Sequence, residues 1–339
     1  MPQPTISAVH VNRPLTNISI AWTQDQNEFV AGKVFPMVPV SKRSDSYYLY
    51  DREYWFSNEM KKRAPGAESA GGGYDISTAT YSCDVFALHK DIADQIRANE
   101  DVPLSSDRDA TEWLTLKAMI KKEVDFASTY MTGGVWTFEA DGVASGETAA
   151  ASFDPENASN NDKRHWSDPA STPIEDIRQA KTYVKQRTGF VPNTLTLGQH
   201  TVDALMDHPD IIDRIKYGQT AGAPAMAGKD ALAKLFEVQN LYVSGAVQNT
   251  ANEGATEANS FIVGKHALLS YAPARPGILT PSAGYTFGWT GYLGGAVGAF
   301  QISKFRMEHL KSDRIEGETA YDQKLVSADL GYFFDGIVA

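Results

Sequence analysis

Apolar residues recur at spacings of three and four between Asp107 and Gly134, and this periodicity predicts a long amphipathic α-helix. The apolar stripe consists of Trp113, Leu116, Ile120, Val124, Ala127 and Met131, widened by Met119, Phe126 and Tyr130. The positions left over, Glu123 among them, form the predicted polar face. A helix from Asp109 to Met131 would be about 35 Å long, roughly twice the average for globular proteins. We therefore predict a beam that connects separate parts of the molecule.

Residues 1–45 show no helical pattern, because prolines interrupt every candidate stretch. Short apolar pieces lie between these prolines, and they include Trp22, Phe29 and Phe35. Leaving such side chains in water is unfavourable. The segment is therefore predicted to be an extended arm that lies on its own body or on a neighbouring subunit, with Trp22 and Phe29 as candidate contacts.

Two aromatic-rich stretches, Asp45–Phe56 and Tyr74–Leu88, predict strands on either side of a polar, glycine-rich tip. A two-stranded loop has too little core to stand alone, so it is either a plain surface hairpin or a segment that lies on a neighbour. Lys61, Lys62 and Arg63 at its tip form a solvated end, or they pair with acids on a neighbour, for example between Asp91 and Asp109.

The second half of the chain alternates helical and strand patterns and predicts an α/β unit between residue 173 and about 275. Thr172, Pro173 and Glu175 are typical of a helix start. A strand is predicted from Phe190 to Gly198. It is followed by a helix over Gln199–Met206 and by another that begins at Pro209. Earlier in the chain, His89–Asn99 predicts a short helix. Strands are predicted again from Phe300 to Met307 and between Thr319 and Val338.

Composition narrows the classes of function. The net charge is −11 over 339 residues and no basic block occurs, which disfavours tight binding of nucleic acid. Cys83 is the single cysteine, so an intrachain disulfide framework and a cysteine-rich zinc site are excluded. The sequence contains no run of about 18 apolar residues, so no segment is predicted to span a membrane.

One group of residues has metal-ligand character. His200, Asp203 and Asp207 follow each other at i, i+3 and i+7, so one helix face could present all three. The alternative is a solvated helix face, which the absence of a second ligand pair elsewhere favours. The lone Cys83 has no nearby histidine, as a thiol nucleophile would need. The sequence thus assigns no catalytic residue, cofactor or metal site.

Two segments resemble the major capsid proteins of tailed bacteriophages. FVPNTLTLGQHTVDALMDHPDIIDRIKYG (Phe190 to Gly218) resembles their P-N-T-L … H-P-D-I-x-D-R-I-K-Y segment, and FRMEHLKSDRIEGETAYDQKLVSADLGYFF (Phe305 to Phe334) resembles their C-terminal stretch. The order of arm, two-stranded loop, long helix, α/β unit and returning strands is that of the capsid fold of phage Hong Kong ninety-seven. The N-terminal part matches by this order alone.

The resemblance implies an α+β fold with five parts. These are an N-terminal arm (1–45), an E-loop (46–86), a peripheral domain (87–172) with its spine helix (107–132), an axial domain (173–280) and a return to the peripheral domain (281–339). It implies a structural protein of the virion capsid, made in the host cytoplasm, whose hexamers and pentamers close an icosahedral shell around double-stranded DNA. The expected partners are further copies, a separate scaffolding protein, a portal, a decoration protein, and weakly bound DNA near residues such as Arg13.

Two alternatives stay open from the sequence. The same fold serves encapsulin-like compartments, which hold cargo enzymes instead of DNA. A metal-dependent enzyme built on His200, Asp203 and Asp207 is the other.

Overall fold

Two β-sheets pack against the two halves of one long helix. The structure is a computed structural model that describes residues 23–100, 104–144, 162–218, 228–277, 279–292 and 300–339. Its mixture of helices with separate sheets confirms the predicted α+β class. Trp22 and Arg13, named above as candidate contacts, lie outside the described residues.

The helices have the following bounds: α1 Arg52–Phe56, α2 Asp94–Ala98, α3 Ser106–Tyr130, α4 Pro173–Thr188, α5 Gln199–Met206, α6 Pro209–Gly218 and α7 Lys229–Leu235. The long helix α3 begins one residue before the predicted Asp107 and ends at Tyr130. Pro173 occupies the first turn of α4, as its fixed φ favours. The helix ends at Gly189, whose φ of 76° is the left-handed conformation that glycine adopts without strain.

The strands have the following bounds: β1 Met37–Val40, β2 Ser44–Tyr50, β3 Ile76–Ser82, β4 Asp84–Ala93, β5 Phe138–Val143, β6 Lys163–Arg164, β7 Thr194–Gly198, β8 Asn240–Ser244, β9 Val247–Asn249, β10 Asn259–Phe261, β11 Ala267–Ser270, β12 Gly284–Trp289, β13 Gln301–Met307, β14 Ser312–Leu325 and β15 Gly331–Asp335. Two short antiparallel pairs, β2 with β3 and β9 with β10, stand apart from the larger sheets.

The six-stranded sheet, in the order β6-β5-β15-β11-β7-β8, is buried on both faces. Successive residues of a strand point to opposite faces. In β15, Tyr332 and Phe334 therefore pack in the core below helices α4 to α7, while Phe333 packs in the core on the other side. That second core contains Phe126 and Tyr130 of α3. The C-terminal half of the long helix thus covers this sheet.

The five-stranded sheet is organised around β14, which pairs with β4, β12 and β13, while β1 pairs in parallel with β12. Ala110 and Leu114 of α3 pack against Ile92 of β4 and Ile315 of β14 in a small core. The N-terminal half of the long helix therefore covers this second sheet, which confirms its role as a connecting beam.

The predicted apolar face of α3 is rotated from the real one. The fully buried side chains are Ala110, Leu114, Glu123, Phe126 and Tyr130. Trp113, placed first in the predicted stripe, is 37 % exposed. The prediction was wrong because the helix contacts two sheets through two faces, whereas the pattern assumed one continuous stripe.

Two other predictions need correction. The second half of the predicted strand Asp45–Phe56 is helix α1, and the first half of the predicted helix His89–Asn99 is the end of β4, which pairs with β14 as far as Ala93. The C-terminal segment ends in β15. That strand lies between β11 and β5 in the six-stranded sheet.

Candidate assembly surfaces

The hairpin formed by β2 and β3 projects from the body with no core of its own. Its register runs from Ser44 opposite Ser82 to Tyr50 opposite Ile76, which confirms the predicted two-stranded loop. Its base is anchored to the five-stranded sheet. There the ring of Tyr81 stacks on Phe287 of β12 with centroids 4.6 Å apart, and Tyr47 lies 5.6 Å from the same ring.

The far end of the hairpin carries an exposed aromatic cluster, defined as Tyr50, Trp55 and Tyr74. The three ring centroids lie 5.9 to 6.0 Å from one another. Trp55 is nevertheless 55 % exposed and Tyr74 59 % exposed, because none of the described residues covers them. Contiguous exposed apolar surface of this kind marks a site of interaction.

Helix α1, at the far end of β2, is tied to the body at two points. Arg52 forms an ion pair of 2.6 Å with Asp329. The ring of Phe56 lies against Gly189, where an added Cβ would be 3.3 Å from the ring. These contacts fix the direction of the hairpin while leaving its cluster open to solvent.

Lys61, Lys62 and Arg63 lie beyond α1 in an exposed segment without regular structure. Arg63 donates a hydrogen bond to the carbonyl of Ala67, and no ion pair of this basic tip occurs within the described residues. The tip is thus a cationic surface on an acidic chain.

Asp94 and Asp107, two of the acids suggested as partners for this tip, form ion pairs within their own chain. They belong to a network at the N-terminal end of α3 that consists of Asp94, Arg97, Asp107, Lys304, Arg306 and Asp313. Arg97 lies 2.7 Å from Asp107, and hydrogen bonds from Arg97 and Arg306 lower the pKa of Asp313 to about 2. Asp91 forms a separate bidentate ion pair with Arg314.

Residues 24–36, which we call the strap, pack on their own body. Phe29, predicted as a contact with a neighbour, is only 7 % exposed in the single chain. Phe35 lies deeper, with its ring 4.6 Å from that of Tyr130. The reason for assigning Phe29 to a subunit interface is thereby removed, because its apolar surface is already covered.

Glu123 is the polar centre of this contact and is fully buried. Its Oε2 accepts hydrogen bonds from the backbone N–H groups of Val30 (3.0 Å) and Ala31 (2.8 Å), and its Oε1 accepts one of 2.7 Å from the Ser244 hydroxyl. Burial raises the pKa of Glu123, while these three donors oppose the shift. Sequence reasoning missed this residue by placing it on the polar face. The signal was its spacing from Phe126 and Tyr130, three and seven residues on, which puts all three on one side of the helix.

The candidate metal residues are not brought together. His200 packs edge-on against the ring of Phe261, and Asp203 accepts a hydrogen bond from Gln199. Across the part of the chain that the structure describes, no group of three or more metal-ligating side chains is found. Cys83 is buried, and burial raises the pKa of its thiol to about 11, which favours the unreactive protonated form.

Known proteins resemble this chain in sequence and in fold. Residues 137–277 match the family described as phage major capsid protein E. The major capsid protein of Pseudomonas phage JBD67 is 27 % identical over 340 residues, covering 97 % of each chain. A phage-related protein from Bordetella bronchiseptica RB50 superposes with a TM-score of 0.64 at 19 % identity, over 93 % of each chain.

A capsid chain of cyanophage P-SCSP1u superposes with a TM-score of 0.58 at 11 % identity, over 95 % of this chain and 91 % of that one. Identities this low establish the fold alone. No helix of the described residues is long and apolar enough to cross a lipid bilayer.

Proposed function

We infer that this chain is the major capsid protein of a tailed phage, a structural protein whose many copies form the icosahedral shell of the virion. The observation that carries the inference is the agreement of two independent likenesses over almost the whole chain, one in sequence to a phage major capsid protein and one in fold to a phage capsid chain. The relative that matches in sequence is a phage shell protein, which favours this function over a cargo compartment.

The experiment is negative-stain electron microscopy of the expressed protein, alone and together with a scaffolding protein encoded beside it. Shells, tubes or capsomers are expected in at least one of the two conditions. Dispersed subunits in both would contradict the proposal.

The exposed hairpin is proposed as the principal contact between copies within hexamers and pentamers. Its aromatic cluster offers the large, rigid apolar groups that dominate interface energies, and the tip residues Lys61, Lys62 and Arg63 add positive charge. Because the rest of the subunit is acidic, this charge steers the hairpin towards a neighbouring copy. Trp22 is proposed as a second contact, made by the part of the arm that precedes the strap.

Charge reversal tests the role of the tip. The double substitution Lys61→Glu and Lys62→Glu should slow assembly and invert its dependence on salt, because it turns attraction to an acidic partner into repulsion. The matched control is Lys311→Glu, a change at an exposed lysine far along the chain. Unchanged assembly of the double variant would remove the tip from the interface.

Further partners follow from the shell and are proposals. They are a separate scaffolding protein, a portal at one vertex, a decoration protein on the outer surface, and double-stranded DNA in weak contact with the inner one. The net charge of −11 supports weak contact, since tight binding of phosphates needs clustered cations. We further propose that the protein has no enzymatic activity, which the dispersal of His200 and Asp203 into ordinary packing contacts supports.

A further inference from the structure

The strap crosses the seam between α3 and the edge of the six-stranded sheet. At its start, the Gln24 side-chain amide pairs with the backbone of Val247 in β9: Oε1 accepts from the N–H at 2.9 Å and Nε2 donates to the carbonyl at 2.6 Å. An amide that satisfies both groups of one residue imitates a neighbouring strand. The strap is therefore held at this end by the turn that follows β8.

The middle of the strap is held by Glu123, which joins three elements that are distant in sequence. One oxygen holds two consecutive N–H groups of the strap, and the other holds Ser244, the last residue of β8. A single buried side chain thus ties the strap and the sheet edge to the long helix.

Close packing around the seam leaves little room for independent movement. The carboxyl group of Glu28 in the strap lies directly against Gly245, in the turn between β8 and β9, where it fills the space that a Cβ would take. On the other side of the strap, Val34 and Phe35 are 3 % exposed in the same core as Phe126. Displacing the strap would open this core.

We propose that Glu123 is a latch that makes the strap, the long helix and the β8–β9 edge move as one unit. The strap continues directly from residues 1–22. A neighbouring copy that holds those residues in the shell, as the proposed function has it, would act through this latch on the edge of the six-stranded sheet. The latch itself is a property of the single subunit and does not depend on the shell.

The charged groups around the latch allow both protonation states of Glu123. Lys33 of the strap lowers the pKa of its carboxyl group and Lys122 of α3 lies beside it, while Glu28 faces the β8–β9 turn. Protonated at Oε1, the carboxyl group could donate to Ser244 while Oε2 still accepts from the strap. The latch is thus closed by geometry in either state, and an uncharged side chain of the same shape should keep it closed.

Hydrogen exchange of the full-length, unassembled protein tests the proposal. Glu123→Ala should speed exchange by at least about tenfold in two peptides at once, residues 24–36 and residues 240–249. Glu123→Gln should leave both close to wild type, because an amide can accept from the strap and donate to Ser244. The matched control Glu112→Ala removes an exposed carboxylate from the same helix and should change neither peptide.

A milder pair of variants covers the case in which Glu123→Ala does not fold. Gln24→Ala and Ser244→Ala each remove one contact of the unit, and each should speed exchange in both peptides. Faster exchange confined to the peptide that carries the substitution would overturn the latch. Because these measurements use single subunits, they would leave the proposed shell function untouched.

Discussion

The hairpin β2–β3 and the strap lie close to each other in sequence and are similarly rich in large apolar residues. They differ in whether those residues are buried. The strap buries Phe29 and Phe35 in its own subunit, whereas the hairpin leaves Trp55 and Tyr74 more than half exposed. The difference lies in their polar partners. Backbone N–H groups of the strap donate hydrogen bonds to Glu123, and the side chain of Gln24 accepts one from the backbone of Val247. The two strands of the hairpin form their backbone hydrogen bonds mainly with each other. Apolar content alone does not decide where a segment packs.

The largest effect on stability should come from the strap. Phe35→Ala should lower the free energy of unfolding by about 3 to 5 kcal/mol, because a buried ring is replaced by a cavity. Urea denaturation of the unassembled subunit measures this value. The control in the hairpin is Tyr48→Ala, at a side chain 73 % exposed, which should change stability by less than about 0.5 kcal/mol. An equal loss of unfolding free energy in the two variants would contradict the difference in burial between the strap and the hairpin.

Loss of the polar anchor should be nearly as costly. Glu123→Ala leaves two strap N–H groups and the Ser244 hydroxyl without their acceptor in a buried site, which should cost about 3 kcal/mol. Differential scanning calorimetry of the subunit gives the value. A stability equal to that of wild type would mean that water replaces the carboxylate without loss.

Acidity should alter the strength of this anchor in a defined direction. Burial raises the pKa of Glu123, so the folded state holds its proton more tightly than the unfolded state. The stability contributed by this proton is therefore fully present below the unfolded pKa and is lost as pH rises through the folded pKa. Wild type should gain stability relative to Glu123→Gln as pH is lowered from neutral towards 4. A parallel pH dependence of the two proteins would show that the carboxyl pKa is the same in both states.

The smallest effect on stability should come from the hairpin. Trp55→Ala should change the free energy of unfolding by less than about 0.5 kcal/mol. The same variant should need at least about tenfold more protein for half-maximal assembly, because an exposed tryptophan in a cluster is a typical interface anchor. Light scattering measures assembly. Normal assembly of Trp55→Ala would take the aromatic cluster out of the proposed interface.

Much of the fold could be predicted from local patterns, because those patterns and the tertiary contacts agree. The helices beginning at Pro173 and Gln199 and the two-stranded loop formed as predicted, and the strand predicted over Phe190–Gly198 forms over Thr194–Gly198. His89–Ala93 is a strand because pairing with β14 overrides a helical pattern, and no local signal reports a distant partner.

The site was less predictable for the same reason. A glutamate among lysines is indistinguishable in sequence from a solvated residue until its neighbours in space are known. Glu123 is buried because the strap, which starts 99 residues earlier at Gln24, brings two N–H groups to it. The aromatic residues of the exposed cluster could be recognised in the sequence. Their exposure could not, because it depends on how the other described residues pack around them.

The long helix also determines how the subunit melts. Its two ends belong to different cores, and none of residues 115–122 between them is buried. If one sheet unfolded, the half of α3 that packs against it would be exposed to water, while the other half would still be held by the other sheet. Two sheets with separate cores should therefore denature as a single cooperative unit, with one calorimetric transition whose van't Hoff and measured enthalpies agree.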